Sequence, residues 1–255
     1  MAGFAQRLGP RSHDTIPALA QYEGVDIATL FPAPPAIPAD VRVRRRWTVA
    51  GVESEDISFR SLHEPIDPAF RQRYGRDYPE IQTVWARRIR PAGSGERPRL
   101  LYLHGYMQPE TVVEEVVLLA ALAMRFQVEI VHMQPPYHGR RNPRRAWLHG
   151  DRFWTGDAVR SVEALRQSLL DARTLLGFML AESDRPVGVA GLSLGGLLTC
   201  GLTCLDARFA FSMPLISHMD IGAVVADAPV LARMRRELRV FGWEASDFGA
   251  FFERI

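Results

Sequence analysis

Apolar and polar positions along this chain follow two rhythms, and the change falls near Arg99. Before it, the segments Val41 to Val49, Ile57 to Leu62 and Thr83 to Ile89 hold branched and aromatic residues at strand length. They predict the first strands of a sheet, with a composition compatible with antiparallel pairing. After it, short apolar runs alternate with helical stretches. Leu100 to Leu103 and Val128 to Met133 are two such runs, the segment opened by Pro186 is a third, and Phe209 to Leu215 is a fourth. Between the first two, Thr111 and Glu114 have the spacing of a capping box for a helix reaching Arg125. The clearest helix runs from Asp157 to Glu182. Its residues Ala158, Val162, Leu165, Leu169, Ala172, Leu176 and Met179 step by four and three, so one face packs on the sheet. This alternation predicts an α/β fold, a mostly parallel sheet with helices on both faces.

The flanks read differently. Residues 1–40 form an irregular lead-in closed by the proline-rich stretch Phe31 to Pro38. Residues 41–216 make the core, and 217–255 a helical, lid-like segment with Leu231, Met234, Leu238 and Phe241 on one face.

Composition narrows the picture. A chain of 255 residues with 47% hydrophobic and 24% charged residues fits one large globular α/β domain. A net charge of +2 gives no electrostatic case for a nucleic-acid partner. All 31 basic residues are arginine, which fits a GC-rich coding sequence better than specialised anion binding. Arg42 and Arg44 to Arg46 are expected on a solvated strand face. Arg140, Arg141, Arg144 and Arg145 are expected on a solvated loop with one or two structural ion pairs, the alternative being a basic rim for an anionic head group. Cys200 and Cys204, four apart on one helix, are expected to pack as small apolar residues. No histidine is grouped with them at ligand spacing, so neither metal nor cofactor is expected. Met1 to Asp14 lacks a signal-peptide core, and the run Val112 to Met124 is too short to span a bilayer and carries Glu114 and Glu115. The expectation is a soluble cytoplasmic protein without a membrane span, acting on a small acyl substrate, its oligomeric state open.

The candidate chemistry sits at Gly191-Leu192-Ser193-Leu194-Gly195-Gly196. An apolar strand runs into Gly-x-Ser-x-Gly and an apolar segment follows, which reads as strand, sharp turn and helix. Such a turn holds the serine at a strained backbone angle, with glycines where strand and helix nearly touch. An ordinary tight strand–helix turn is the plainer reading. A dinucleotide loop does not fit, because the Gly-x-Gly-x-x-Gly spacing is absent. An activated serine needs a base, an acid that orients the base, and donors for an oxyanion. The amides of Leu194 and Tyr106 are the expected donors, and His104 is expected to brace its loop.

Leu103-His104-Gly105, the elbow Gly191 to Gly196 and the order of strands resemble the alpha/beta-hydrolase superfamily. The loop Pro135-Pro136-Tyr137-His138-Gly139-Arg140-Arg141, with Pro143 beyond, is similar more narrowly to the alpha/beta-hydrolase domain-containing protein 18 family and its bacterial relatives. The resemblance implies hydrolysis of an ester, thioester or amide through an acyl-enzyme on Ser193. The superfamily order is serine, then acid, then histidine. Here the only histidine after Ser193 is His218, and the only carboxylate between them is Asp206, placed away from the active edge; no histidine follows Asp220. After Ser193 come 62 residues, short of the roughly 75 that three more strand–helix units need. The last two strands, with the acid and base, are therefore expected to lie beyond the end of this chain, leaving His218 as a substitute base. The Phe209 strand would then be an open edge prone to self-association, unless Ala223 to Ile255 folds over it. The reading is a serine hydrolase, esterase-like; the alternative is a non-catalytic hydrolase-like fold that binds an acyl ligand or a protein partner.

Overall fold

Ala50 and Gly51, with φ of 49° and 77°, turn strand β1 (Arg42–Val49) back onto β2 (Val52–Arg60). A pair of left-handed residues matches the twist of a two-residue hairpin, which is why a glycine stands there. β3 (Thr83–Pro91) continues antiparallel along the whole of β2, from Val52 against Pro91 to Arg60 against Thr83. In this computed structural model, which describes residues 16–34, 37–93, 95–108, 113–144 and 146–254, the sheet then becomes parallel. β4 (Arg99–Leu103) lies between β5 (Glu129–Gln134) and β6 (Val187–Leu192), and β7 (Ser212–Leu215) lies outside β6. The order across the seven strands is β1-β2-β3-β5-β4-β6-β7. β2, β4, β5, β6 and β7 run one way, β1 and β3 the other. The fold is the mostly parallel α/β architecture expected.

The helices follow local signals. Asp67 caps α1 (Pro68–Asp77), accepting from the Phe70 amide at 2.5 Å with Pro68 in the first turn; the strand rhythm around it had hidden this helix. A π-helical turn, Glu114–Leu119, leads into α2 (Ala120–Phe126). Thr111, its expected cap, lies outside the described residues. Glu115 turns inward instead, pairing with Arg87 at 2.7 Å. Asp157 caps α3 (Ala158–Glu182) through the Arg160 amide at 2.9 Å.

α3 departs from the simple amphipathic picture. Its apolar face packs as predicted, yet its polar face is buried too, from Ala158 to Leu176. The segment expected to be an irregular lead-in covers it: a 3₁₀ turn over Ile16–Tyr22 and a helical turn over Ile27–Leu30, with Leu19, Tyr22 and Leu30 in the core. Tyr22 donates to Glu163 Oε1 at 2.6 Å, and Arg166 Nε and Arg173 Nη1 donate to the carbonyls of Leu30 and Phe31 at 2.8 and 2.9 Å. Charges that look solvent-facing in sequence are satisfied by backbone more than 130 residues away.

β6 feeds α4 (Leu194–Leu205), and after β7 come α5 (Ile221–Asp227), α6 (Ala232–Val240) and α7 (Ala245–Phe252). α5 and α7 cross where Gly222 meets Gly249, so closely that a Cβ on Gly249 would stand 2.5 Å from the Gly222 Cα. Leu231, Met234 and Leu238 are buried as the pattern predicted. α5 lines the serine pocket, and α7 packs on the N-terminal turn over Ile16–Tyr22. Among the described residues no strand lies beyond β7, whose Met213 and Leu215 are 44% and 49% exposed. Two further expectations change. Cys204 is exposed instead of packed, while Cys200 is half-buried with its Sγ 3.7 Å from the Ser217 hydroxyl. Arg141 is not solvated: it is fully buried against Asp171 at 2.7 Å.

Candidate active site

Ser193 sits between β6 and α4 with φ 55° and ψ −111°, a backbone state that costs a non-glycine residue on the order of 1–3 kcal/mol. The surrounding glycines show what holds it. A Cβ on Gly195 would overlap the Leu103 carbonyl oxygen, and one on Gly191 would overlap the carbonyl of Gly195. Gly105 closes the other side: its Cβ position is 3.7 Å from the Ser193 Cβ. Strand β6, helix α4 and the end of β4 therefore meet at Gly191 and Gly195 with no room for side chains, while the loop at Gly105 lies in ordinary contact with Ser193. The Ser193 amide donates to the Leu215 carbonyl at 2.9 Å, which ties the turn to β7 as well. The Ser193 side chain makes no capping bond to its own helix, so the hydroxyl is available above the positive end of α4.

The hydroxyl opens onto a pocket of about 150 Å³. Trp154, Leu197, Val224, Val225 and Leu231 give it apolar walls, supplied by the loop before α3, by α4 and by the segment after β7. The lid-like segment thus contributes to the pocket directly. Tyr106 and Leu194, the expected oxyanion donors, both line it beside Ser193. Leu194 is the first residue of α4, so its amide is among those a helix start leaves unpaired. Burial pushes the Tyr106 hydroxyl up, and it stays protonated at neutral pH. The apolar walls suit an uncharged acyl group lying beside the Ser193 hydroxyl.

His218, after β7, lines the same pocket. Its imidazole is exposed and has no hydrogen-bond or ion-pair partner among the described residues, so nothing orients it as a base. The carboxylates near it in sequence are engaged elsewhere. Asp206 sits past the far end of α4, paired with Arg208 at 2.7 Å and Arg173 at 3.3 Å, which together with its backbone bond hold its carboxyl below the usual range despite burial. Asp220 caps α5 through the Ala223 amide at 2.8 Å. Among the described residues no group of three or more His, Cys, Asp or Glu side chains is placed to hold a metal ion.

Behind the pocket lies a feature that sequence spacing did not reveal, a cluster of three buried histidines: His104 just after β4, His132 within β5 and His138 in the loop after β5. The His104 ring centroid is 5.4 Å from that of His132 and 5.0 Å from that of His138. His104 Nδ1 lies 2.8 Å from the Gly105 carbonyl and His138 Nδ1 2.9 Å from the Pro136 carbonyl, so in both rings Nδ1 carries the proton and donates. His104 braces its loop, as expected. Burial, reinforced by the neighbouring histidines, pushes His104 well below its ordinary value, and burial pushes His138 down from 6.5 to about 4. Both are neutral at pH 7.

A depressed imidazole pKa means the unfolded chain takes up the proton first as pH falls. Stability is complete above pH 6.5 and declines as pH falls toward 4. His138 alone is expected to remove about 3 kcal/mol between pH 7 and pH 4, and His104 adds to it. Urea unfolding across this range in the wild type and in His138→Asn, whose amide can keep the bond to Pro136, isolates the term. Equal pH slopes in the two proteins would refute it.

The chain matches no family model and no curated protein sequence. It is similar in structure to solved esterases. An acetyl xylan esterase from Paenibacillus sp. R4 aligns over 94% of this chain and 73% of its own, with a TM-score of 0.56 at 14% identity. Methylesterase BT1017 aligns over 96% of this chain and 56% of its own, with a TM-score of 0.53 at 16% identity. A cold-adapted esterase from an Arctic intertidal metagenomic library aligns over 69% of this chain and 64% of its own, with a TM-score of 0.44 at 18% identity. The chain thus spans little more than half of the methylesterase and under two thirds of the cold-adapted esterase. The narrower likeness to alpha/beta-hydrolase domain-containing protein 18 finds no support in these comparisons. What the acetyl xylan esterase and the methylesterase share with this chain is the alpha/beta-hydrolase fold.

Proposed function

We propose that the chain carries the nucleophile of a serine hydrolase that cleaves an ester, thioester or amide through an acyl-enzyme. Ser193 is the nucleophile, and the amides of Leu194 and Tyr106 hold the oxyanion. The carrying observation is Ser193 itself, held at φ 55° over an apolar pocket by glycines that admit no side chain. Strain of this kind persists only where the surroundings over-determine it. The esterase names of the structural neighbours support the same reading. Loss of one oxyanion donor costs about 3 kcal/mol of transition-state stabilisation in enzymes of this type.

The acid and base of the relay come, in this proposal, from outside the described residues, because His218 has no carboxylate to orient it. The chain by itself then reacts slowly. A fluorophosphonate probe is expected to label Ser193 at a low rate, and Ser193→Ala to abolish the label. His218→Ala is expected to change that rate less than twofold. Label retained in Ser193→Ala would refute the nucleophile, and a hundredfold loss in His218→Ala would make His218 the base. The same unoriented His218 is what favours the second reading, a non-catalytic fold that binds an acyl ligand, and absence of any Ser193 label would select it.

A further inference from the structure

The arginines of β1 lie on a solvated strand face, as their sequence suggested, and that face is also concave. Arg42, Arg44, Arg45 and Arg46 border a cleft of about 510 Å³, with Ser58 of β2 and Trp85 of β3 among its other walls. Register explains the shape. Arg42 pairs across the sheet with Ser58, and Ser58 with Trp85, while Arg44 pairs with Asp56. These side chains share one face of the sheet. Arg46 continues the same alternation from Arg44, with its guanidinium 3.5 Å from Asp56, and Arg45, next to the register shift before Trp47, borders the cleft as well. From the opposite side comes Arg140, in the loop after β5, with its guanidinium 4.5 Å over the Trp85 ring.

Charge in this cleft is out of balance. Its one carboxylate, Asp56, already faces three guanidinium groups: Arg87 at 2.7 Å, Arg140 at 3.1 Å and Arg46 at 3.5 Å. Arg45 reaches only Glu53, at 3.9 Å. The side chains of Arg42 and Arg44 have no ion pair or hydrogen bond among the described residues. Charges along an edge strand commonly serve to block pairing with another chain. That role accounts for β1 but not for Arg140, which another loop brings across the cleft. Cations gathered around a concavity raise the local concentration of anions.

We propose that this cleft binds a small polyanion bearing at least two phosphoryl groups. Arg42 and Arg44, on alternate residues of one strand, stand roughly 7 Å apart at their Cα atoms. Phosphoryl groups, with up to two charges and three acceptor oxygens each, fill several guanidinium forks at once. The Ser58 hydroxyl adds a neutral donor. The site is separate from the serine pocket, because β5 and β4 stand between β3 and β6 in the sheet. The phosphoryl groups can come from a free metabolite or from a lipid head group.

Titration calorimetry with inositol hexakisphosphate tests the first source, and flotation with vesicles containing phosphatidylinositol bisphosphate tests the second. At least one probe is expected to bind, more weakly as salt rises. Arg42→Glu/Arg44→Glu is expected to weaken that binding at least tenfold, and Arg140→Gln severalfold. The control Arg239→Glu/Arg254→Glu removes the same charge from exposed positions outside the cleft and is expected to leave binding unchanged. Binding of the soluble probe that the cleft variant destroys identifies a free ligand. Binding of vesicles alone, with the same sensitivity, identifies a head group. Failure of both probes, indifference to the cleft variant, or an equal loss in the control would each overturn the proposal.

Discussion

Gly195→Ala is expected to destabilise the chain by at least about 3 kcal/mol and to abolish labelling of Ser193. The added methyl would overlap the Leu103 carbonyl oxygen and crowd the His104 carbonyl at 2.9 Å. Both obstacles are backbone, one of them the end of a central strand, so no rotamer change relieves the clash. β4 or α4 must move, and either movement shifts the turn that holds Ser193. The same substitution elsewhere has the opposite sign. Gly75 lies in α1 with nothing within 4 Å of its Cβ position, and Gly75→Ala should stabilise by roughly 0.5–1 kcal/mol through the entropy of the unfolded chain. Urea midpoints of the two variants should therefore move apart. A Gly195→Ala protein as stable as the wild type would mean that helix and strand are not in contact at this turn.

Arg141→Met is expected to cost about 3–5 kcal/mol. Arg141 and Asp171 are both fully buried, joined at 2.7 Å. The guanidinium also donates to the carbonyls of Ile81 at 2.8 Å and Gln134 at 3.0 Å, while Ser61 donates to Asp171 at 2.6 Å. Loop, helix and the approach to β3 are thus pinned at one buried charge pair. Removing the arginine leaves a carboxylate in the core with only Ser61 and no counter-charge, and that desolvated charge is the source of the cost. The double variant Arg141→Met/Asp171→Leu removes it. It should recover at least about half of the loss, the remainder reflecting two carbonyls without their donor. Additive single and double effects, measured by urea unfolding, would show that the two charges do not interact.

Much of the sheet and the elbow was legible in the sequence because their signals are local. Parallel strands buried on both faces must be apolar throughout, so Leu100 to Leu103 and Val128 to Met133 announce themselves, as does Val187 to Leu192. The elbow declares itself through glycines at positions where a side chain cannot fit. Helix α3 shows its apolar stripe because four-and-three steps are a property of the helix alone.

Tertiary structure decided what depends on distant partners. The polar stripe of α3 looks solvated, but residues 16–34 bury it, because Glu163, Arg166 and Arg173 find acceptors and donors in chain that precedes them by more than 90 residues. The buried histidines lie just after β4, within β5 and in the loop beyond it, and only the parallel pairing of those two strands brings them together. The arginine cleft depends on β1 lying beside β2 in one register, and on a loop from β5 reaching across. The walls of the serine pocket come from segments before α3, within α4 and after β7. Periodicity records which face of an element is apolar. It carries no information on which polar groups will meet across the fold, since that pairing is settled by the strand order and by the need to satisfy every buried charge.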